Sequence, residues 1–289
     1  MTSDPLKITP NPLAAFMRQP KIYIKLPSQG KFWPNGSLEV TETGEYPVYS
    51  MTARDELMLK IPDAVMSGQA VVDVIQNCMP HIKNAWHIPA IDLDIILIGL
   101  RLATYGEIME TPITVGENEF TCNVDLRQVL DSLYAKISWE DAISINDNLT
   151  VFVKPLTYKH ISEAALKSFE TQKIMSIVGN DEISEEEKIK AFKESFNKLT
   201  EVTISIVQNS VYKIDSSAGS TDNPQHIKEF VNNIDKQMFN TIQNFLETQK
   251  ANNAVPNLTI TTPQDIKDKG YTEDKIEVPL VFDPSTFFV

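Results

Sequence analysis

The chain has 289 residues, an ordinary apolar and aromatic content for a globular protein, and a formal net charge of −13. This length is enough for one large domain or two smaller ones. The negative charge argues against a nucleic-acid-binding protein, because phosphate contacts need clustered Lys and Arg. It also disfavours adhesion to anionic membranes.

The cysteine content and the apolar stretches indicate the cellular compartment of the protein. Two cysteines, Cys78 and Cys122, are too few for a disulfide framework and indicate a reducing compartment. The N-terminus lacks the charged and apolar regions of a signal peptide. The longest apolar stretch, residues 91–103, is interrupted by charges and is too short to span a bilayer. We therefore predict a protein that is made and used in a cytoplasm.

The chain begins with a proline-rich stretch and a loop that carries two aromatic residues. Residues 1–20 contain four prolines and predict an extended N-terminal arm. Residues 23–26 alternate as in a strand, and Gly and Pro then supply turn chemistry through residue 36. Within this loop, Phe32 and Trp33 lie either under the sheet or at the surface as interface anchors.

A hairpin, a series of helices and further strands follow. Alternation predicts a hairpin of residues 37–40 with 45–50 and a second one of 113–115 with 119–126. Thr52 to Asp55 forms a capping-box-like helix start. Helices are predicted at residues 52–61, 68–79, 92–105 and 126–133, with Gly106 ending the third. A β-branched strand is predicted at residues 149–155.

After Thr157 the apolar period becomes helical. Predicted helices begin near residues 157, 184 and 224, the second running to Val211, and residues 215–223 are predicted to be a loop. Three helices with one apolar stripe each favour an antiparallel bundle. The stripe of Phe192, Phe196, Phe230 and Phe245 forms either the core of that bundle or, in part, a face that docks a partner helix. Strand-like alternation returns at residues 258–262 and 275–282.

These patterns together predict an α+β protein. The predicted parts are an extended N-terminal arm at 1–20, a mixed domain at 21–158, an inserted antiparallel three-helix bundle at 159–250, and an extended C-terminal segment at 251–289. The mixed domain combines small antiparallel sheets with packed helices. The C-terminal segment returns to that domain or reaches a partner.

No catalytic signature occurs in the sequence. A nucleophile elbow, a P-loop and a dinucleotide fingerprint are all missing, and no carboxylate pair is singled out for glycoside hydrolysis. Asp92 and Asp94 are explained as charges that complement a helix N-terminus. The conceivable metal ligands are Cys78, His81, His87 and Cys122. Zinc sites usually present two ligand pairs, so we predict no metal, no cofactor and no catalytic residue.

Two segments resemble one protein family. They are Tyr-Ile-Lys-Leu-Pro-Ser-Gln-Gly at residues 23–30 and Arg-Leu-Ala-Thr-Tyr-Gly at 101–106. Together with the helix start at 51–56, they resemble the baseplate hub and hub-assembly proteins of T4-like contractile-tailed phages over roughly the first 160 residues. The resemblance implies a noncatalytic role in hub assembly, in the host cytoplasm, through contacts with other hub or tape-measure proteins. From the net charge we predict no nucleic-acid or membrane partner.

Two other functions stay open from this resemblance. One is a stoichiometric structural subunit of the hub in the virion, and the less favoured one is an enzyme that degrades cell wall. For partner binding we predict the aromatic loop and the aromatic C-terminus. The predicted residues are Leu26, Pro27, Ser28, Gly30, Phe32, Trp33, Phe287, Phe288 and Val289.

Overall fold

The computed structural model describes residues 12–13, 16–115, 118–178, 184–262, 264–268, 271–278 and 280. The α+β class predicted from the sequence is confirmed. The elements in chain order are β1 (Pro20–Lys25), β2 (Glu45–Tyr49), α1 (Ala53–Leu59), α2 (Pro62–Met66), α3 (Gln69–Cys78), a 3₁₀ turn (Ala85–His87), α4 (Ala90–Tyr105), β3 (Ile108–Val115), β4 (Asn118–Asp125), α5 (Leu126–Lys136), β5 (Ala142–Asn146), β6 (Leu149–Val153), α6 (Tyr158–Val178), α7 (Glu185–Ser210), β7 (Val211–Ser216), β8 (Gly219–Thr221), α8 (Pro224–Asn233), α9 (Lys236–Asn253), β9 (Leu258–Thr261), α10 (Gln264–Lys267) and β10 (Lys275–Val278).

The first sheet corrects one sequence prediction. Strand β2 pairs antiparallel with β1, whereas we predicted that it pairs with residues 37–40. Leu38 instead makes an isolated bridge to Ile82. The alternation of apolar and polar residues along β1 buries Ile24 against helix α4. Strand β1 therefore completes the apolar face of the sheet, and this explains why β2 pairs with it.

Helix α4 is the centre of the first hydrophobic core. It is apolar on nearly every side, as expected for a helix surrounded by other elements. It ends at Gly106, which has a positive φ of 91° and confirms the predicted C-terminal glycine. On the sheet side, Gly99 lets β1 approach closely: a Cβ atom built there would lie 3.1 Å from Cγ2 of Ile24.

The remaining elements of the first core come from both ends of the described chain. The predicted capping box of Thr52 and Asp55 opens α1. The β3–β4 hairpin packs next to α5, and the two C-terminal strands β9 and β10 pair with each other. Ile276 and Leu280 join the same hydrophobic cluster as α3 and α4.

The second core corrects the helical part of the prediction. A four-stranded antiparallel sheet, in the order β5-β6-β7-β8, packs against the C-terminal end of α7 and against α8 and α9. Helix α7 ends at Ser210 and not at Val211, and residues 215–223, predicted as a loop, contain strand β8. The reason is that β-branched Val211 and Ile214 complete the apolar face begun by Val151 and Val153 of β6.

The predicted third helix is two helices, α8 and α9. Helix α8 has Pro224 as its first residue, as predicted. It ends at Asn233, and the Asp235 side chain accepts a hydrogen bond from the backbone N–H of Met238 to start α9. Because of this break, each of the two helices packs against the sheet separately. Ile227 of α8 and Ile242 of α9 are both buried in the second core.

Candidate functional site

The aromatic loop of residues 26–36 is fastened to helix α4 by one carboxylate. Asp92, in the first turn of α4, accepts a hydrogen bond from the backbone N–H of Ser28 at 2.9 Å. Its second oxygen accepts from the Ser28 hydroxyl and from the Trp33 indole N–H, the latter at 2.8 Å. One side chain therefore fixes both the start and the aromatic middle of the loop.

Burial dominates the electrostatics of this carboxylate. Asp92 is 0% exposed, and its removal from water raises the pKa from near 3.8 to about 6, although its hydrogen bonds act in the opposite direction. Asp94, half-buried in the same turn, also has its pKa raised to about 6 by burial. The sequence does not reveal that Asp92 holds the loop, because a position near a helix N-terminus is by itself enough to explain an acidic residue at 92 or 94.

The outer side of the loop joins the first core to the second. The Lys31 ammonium lies 2.6 Å from a carboxylate oxygen of Asp141, just before β5, and this contact lowers the pKa of Asp141. The Phe32 ring meets Trp139 edge to face, with centroids 6.3 Å apart. Trp139 packs against the second core, so the loop acts as a brace between the two cores.

The structure places the predicted partner-binding residues of the loop at different depths. Leu26, Ser28 and Trp33 are buried, so for Trp33 the position under the sheet is the observed one. Pro27, Gly30 and Phe32 are half-buried. The loop brings these residues together along one segment, and its outward surface consists of Gln29, Lys31 and residues 34–36. The predicted tail residues Phe287, Phe288 and Val289 lie outside the described residues.

The cysteines and histidines do not form a reactive cluster in the part of the chain that the structure describes. No group of three or more His, Cys, Asp or Glu residues there could hold a metal ion. Cys78 and Cys122 are free and buried, and burial raises the pKa of the Cys78 thiol to about 11. Burial and a raised thiol pKa are typical of cysteines in a hydrophobic core.

Ser37 and His87 form a contact between two residue types that can act together in nucleophilic catalysis. The Ser37 hydroxyl lies 2.7 Å from Nδ1 of His87. Ser37 is buried, and its carbonyl oxygen accepts hydrogen bonds from the backbone N–H groups of Lys83 and Asn84. This geometry ties the end of the loop to the residues before α4, and it does not present the hydroxyl to a substrate.

A polar cleft of about 540 Å³ lies where β6, the end of α7 and the start of α8 meet. Its lining includes Lys154, His160 and Lys228, with Asp222 beside them. Burial lowers the pKa of both Lys154 and His160. Its described lining contains no Ser, Thr or Cys nucleophile, so the cleft is not arranged for acyl transfer.

Helices α6 and α7 form a hairpin whose inner face is built from small residues. The least exposed positions recur at helical spacing: Ala164, Ser168 and Thr171 on α6, and Ala191, Ser195 and Val202 on α7. Ser195 is 1% exposed, and its hydroxyl has no hydrogen-bond partner among the described residues. Small side chains allow two helices to approach closely but bury little apolar area.

In the N-terminal half of α7, the large apolar residues lie on its outside. Ile189, Phe192, Phe196 and Leu199 follow the spacing three, four, three, which is a heptad seam. Phe192 is 54% exposed and Phe196 is 64% exposed. Of the stripe predicted from the sequence, these two phenylalanines are therefore outside any core, whereas Phe230 and Phe245 pack against the second core.

The base of this hairpin is firmly attached to the first core. The Tyr158 ring stacks on Trp86 with centroids 5.7 Å apart, and the Tyr158 backbone N–H donates to the Ile88 carbonyl at 2.8 Å. Gly68, at φ +79°, lies so close that a Cβ atom there would meet Ser162 Oγ at 3.0 Å. These contacts attach the start of α6, at the base of the hairpin, to the first core.

A known protein family matches this chain over most of its length. A family model described as "T4 bacteriophage base plate protein" matches residues 17–269. No curated protein and no solved structure matches the chain. Among the described residues, no helix is both long enough and apolar enough to cross a membrane.

Proposed function

Because the chain belongs to the family of T4 bacteriophage base plate proteins, we propose that it acts without catalysis in assembling the baseplate hub of a contractile tail. It does so through protein–protein contacts with other hub proteins or with tape-measure proteins, in the host cytoplasm during assembly. The observation that carries this proposal is the exposed heptad seam of α7. Monomeric proteins rarely leave such apolar rows open to water unless another protein covers them.

The chemistry of the described residues supports a noncatalytic role. The buried thiols have raised pKa values, the Ser37 hydroxyl is enclosed, and the cleft beside Lys154 lacks a nucleophile in its described lining. Asp92, which is buried, holds the loop by hydrogen bonds, and Asp94 is half-buried in the same helix turn. These assignments leave contact surfaces as the means of action.

We assign partner contact to three surfaces. The first is the heptad seam of α7, and the second is the outward surface of the loop, where residues 34–36 are exposed and Phe32 is half-buried. In this assignment Leu26, Ser28 and Trp33 support the loop from inside, and Pro27 and Gly30 shape it. The third surface is the tail with Phe287, Phe288 and Val289, which remains a proposal from the sequence.

The alternative is a stoichiometric structural subunit of the hub that stays in the virion. Quantitative mass spectrometry of purified virions, isolated tails and infected-cell lysate separates the two. An assembly factor is expected in the lysate and missing from particles. A fixed copy number in tails, matching other hub proteins, would establish the structural subunit and contradict the transient role.

The tail has its own test. Deletion of residues 287–289 is expected to block hub assembly while the purified protein keeps its unfolding free energy and circular dichroism. Phage yield from cells that express the shortened chain gives the result. A normal yield would remove the tail from the contact surfaces and leave the seam and the loop.

A further inference from the structure

The exposed heptad seam of α7 is bordered by lysines. With Ile189 and Phe196 at the a positions of a heptad, and Phe192 and Leu199 at the d positions, the flanking e and g positions are Glu186, Lys188, Lys193, Ser195 and Thr200. Lys188 and Lys193 flank the middle of the seam; Lys193 is exposed and Lys188 is half-buried. The border next to the apolar row is therefore basic in its centre, although the whole chain carries a net charge of −13.

Helix α6 extends this surface. Leu166 and Phe169 are 40% and 39% exposed, and the Lys173 ammonium lies 4.6 Å from the centre of the Phe169 ring. With 100° per residue, and with the small residues of each helix facing the other helix, Phe169 falls on the same side of the hairpin as the α7 seam, whereas Leu166 lies on the back of α6. The hairpin thus presents an apolar groove formed by the α7 seam and the Phe169 ring, with Lys188 and Lys193 beside the seam.

We propose that this groove docks an amphipathic helix of a different protein, with apolar residues at heptad spacing and acidic residues at the flanking positions. This inference rests on the proposed function, because it names the chemistry of the partner that the seam contacts. Glu side chains beside the docked seam would pair with Lys188 and Lys193, as flanking charges do in coiled coils. The apolar row supplies the contact area and the lysines select the partner.

The same charges disfavour a second copy of this chain as the occupant. In a parallel pairing of two α7 helices, Lys188 of one copy would face Lys193 of the other across the seam. In an antiparallel pairing centred on the seam, Lys193 would lie near its own counterpart. Like charges at flanking positions destabilise such pairs. The basic border therefore fits an acidic partner better than it fits itself.

The test uses the full chain and two synthetic peptides as probes. Both peptides carry Leu and Ile at the seam positions of consecutive heptads. One has Glu at the flanking positions, and the other has Lys there. Binding is measured by fluorescence anisotropy at low and high salt. We expect the Glu peptide to bind at least about tenfold more tightly than the Lys peptide at low salt, with the difference shrinking as salt screens the charges.

Two variants test the proposal, and a third variant is their control. The double variant Phe192→Gln, Phe196→Gln is expected to weaken binding of the Glu peptide about tenfold or more. The charge-reversal variant Lys188→Glu, Lys193→Glu is expected to invert the preference, so that the Lys peptide binds better. Lys236→Glu, at an exposed position of helix α9, changes the net charge without touching the groove and is expected to leave the preference unchanged.

Several results would overturn the inference. Equal binding of both peptides, or no binding of either, would contradict an acidic helical partner. A concentration-dependent dimer in sedimentation that the Phe192→Gln, Phe196→Gln variant abolishes would identify a second copy as the occupant. Binding that appears only after residues 281–289 are deleted would identify the chain's own tail. The proposed function is judged separately, by the mass spectrometry and by phage yield from the phenylalanine variant.

Discussion

The first core and the α6–α7 hairpin use apolar residues in opposite ways. Around α4, large aliphatic side chains point inward and fill the space between sheet and helices, with Ile95, Ile98 and Leu100 all 0% exposed. In the hairpin, the inner positions hold mostly Ala, Ser and Thr, and Ile189, Phe192, Phe196 and Leu199 face outward. The first arrangement maximises buried apolar area within the chain, and the second leaves apolar area exposed.

This difference separates stability from recognition. A side chain that contributes to the unfolding free energy must be more buried in the folded chain than in the unfolded one. Phe196 is 64% exposed in the folded chain and gains little burial, whereas Ile98 is 0% exposed and is buried completely. Substitutions of similar size in the two regions should therefore have very different effects on stability.

The largest effect is expected at the centre of α4. Ile98→Ala removes buried methyl groups and leaves a cavity, which should lower the unfolding free energy by about 3 kcal/mol. Urea denaturation followed by circular dichroism measures the change. Ile98→Val, which removes one methylene, is the matched control, with an expected loss of about 1 kcal/mol. Equal effects of the two variants would contradict a tightly packed core around α4.

The next effect concerns Asp92 and depends on pH. Since burial raises its folded pKa to about 6 from near 3.8, the folded protein holds a proton between these pH values that the unfolded chain has released. The unfolding free energy should therefore fall as pH rises from about 4 to about 6, by up to about 3 kcal/mol from this group. Denaturation at several pH values measures the slope.

Two substitutions separate the contributions to this slope. Asp92→Asn removes its share, and Asp94→Asn removes the share of the half-buried neighbour whose pKa is also raised to about 6. Carboxyls with lowered pKa, such as Asp141, give a slope of the opposite sign only below about pH 4. An unfolding free energy that rises from pH 4 to pH 6 in the wild-type chain would show that Asp92 titrates in its ordinary range.

The contrast between the two regions also shows what the sequence could predict. Helix α4 was predictable because a run that is apolar on every side has few other uses in a chain of this charge. The capping boxes at Thr52 and Ser184 were predictable because both partners are three residues apart. Local chemistry was sufficient in these cases.

Long-range pairing was beyond the sequence. Asp92 receives its hydrogen bonds from a loop 64 residues earlier in the chain, so no local pattern connects the two. Strand β7 follows α7 without a break, and its partner β6 lies before α6. The heptad seam was visible, but the same spacing serves a buried seam and a docking seam. Only burial distinguishes Phe196 from Phe245.

A moderate effect is expected where β1 crosses α4. Gly99→Ala would place a methyl group 3.1 Å from Ile24 Cγ2 and 3.3 Å from Ile24 Cδ1. The better helix propensity of Ala offsets part of the crowding, so the expected net loss is about 1 kcal/mol. The double variant Gly99→Ala, Ile24→Val relieves the contact, and its loss should be smaller than the sum of the two single losses. Strict additivity would show that the strand moves away freely.

A smaller effect is expected in the brace between the two cores. Lys31 and Asp141 form a contact that is largely exposed, so Lys31→Ala should lower the unfolding free energy by less than about 1 kcal/mol. A double-mutant cycle with Asp141→Ala isolates the pair, and its coupling should shrink at high salt. A coupling well above 1 kcal/mol would mean that the brace, and not the separate cores, limits stability.

The smallest effect on stability is expected at the hairpin seam. Phe196→Gln replaces an exposed aromatic residue by a better helix former, so the unfolding free energy should change by less than about 0.5 kcal/mol. Phe245→Gln is the matched control, because that ring packs against the second core and its loss should destabilise the chain measurably. If Phe196→Gln nevertheless lowers phage yield, the defect lies in recognition, since the folded chain is intact. If it destabilises the chain as much as Phe245→Gln does, the seam is covered within the protein, and the opposition between the hairpin and the core disappears.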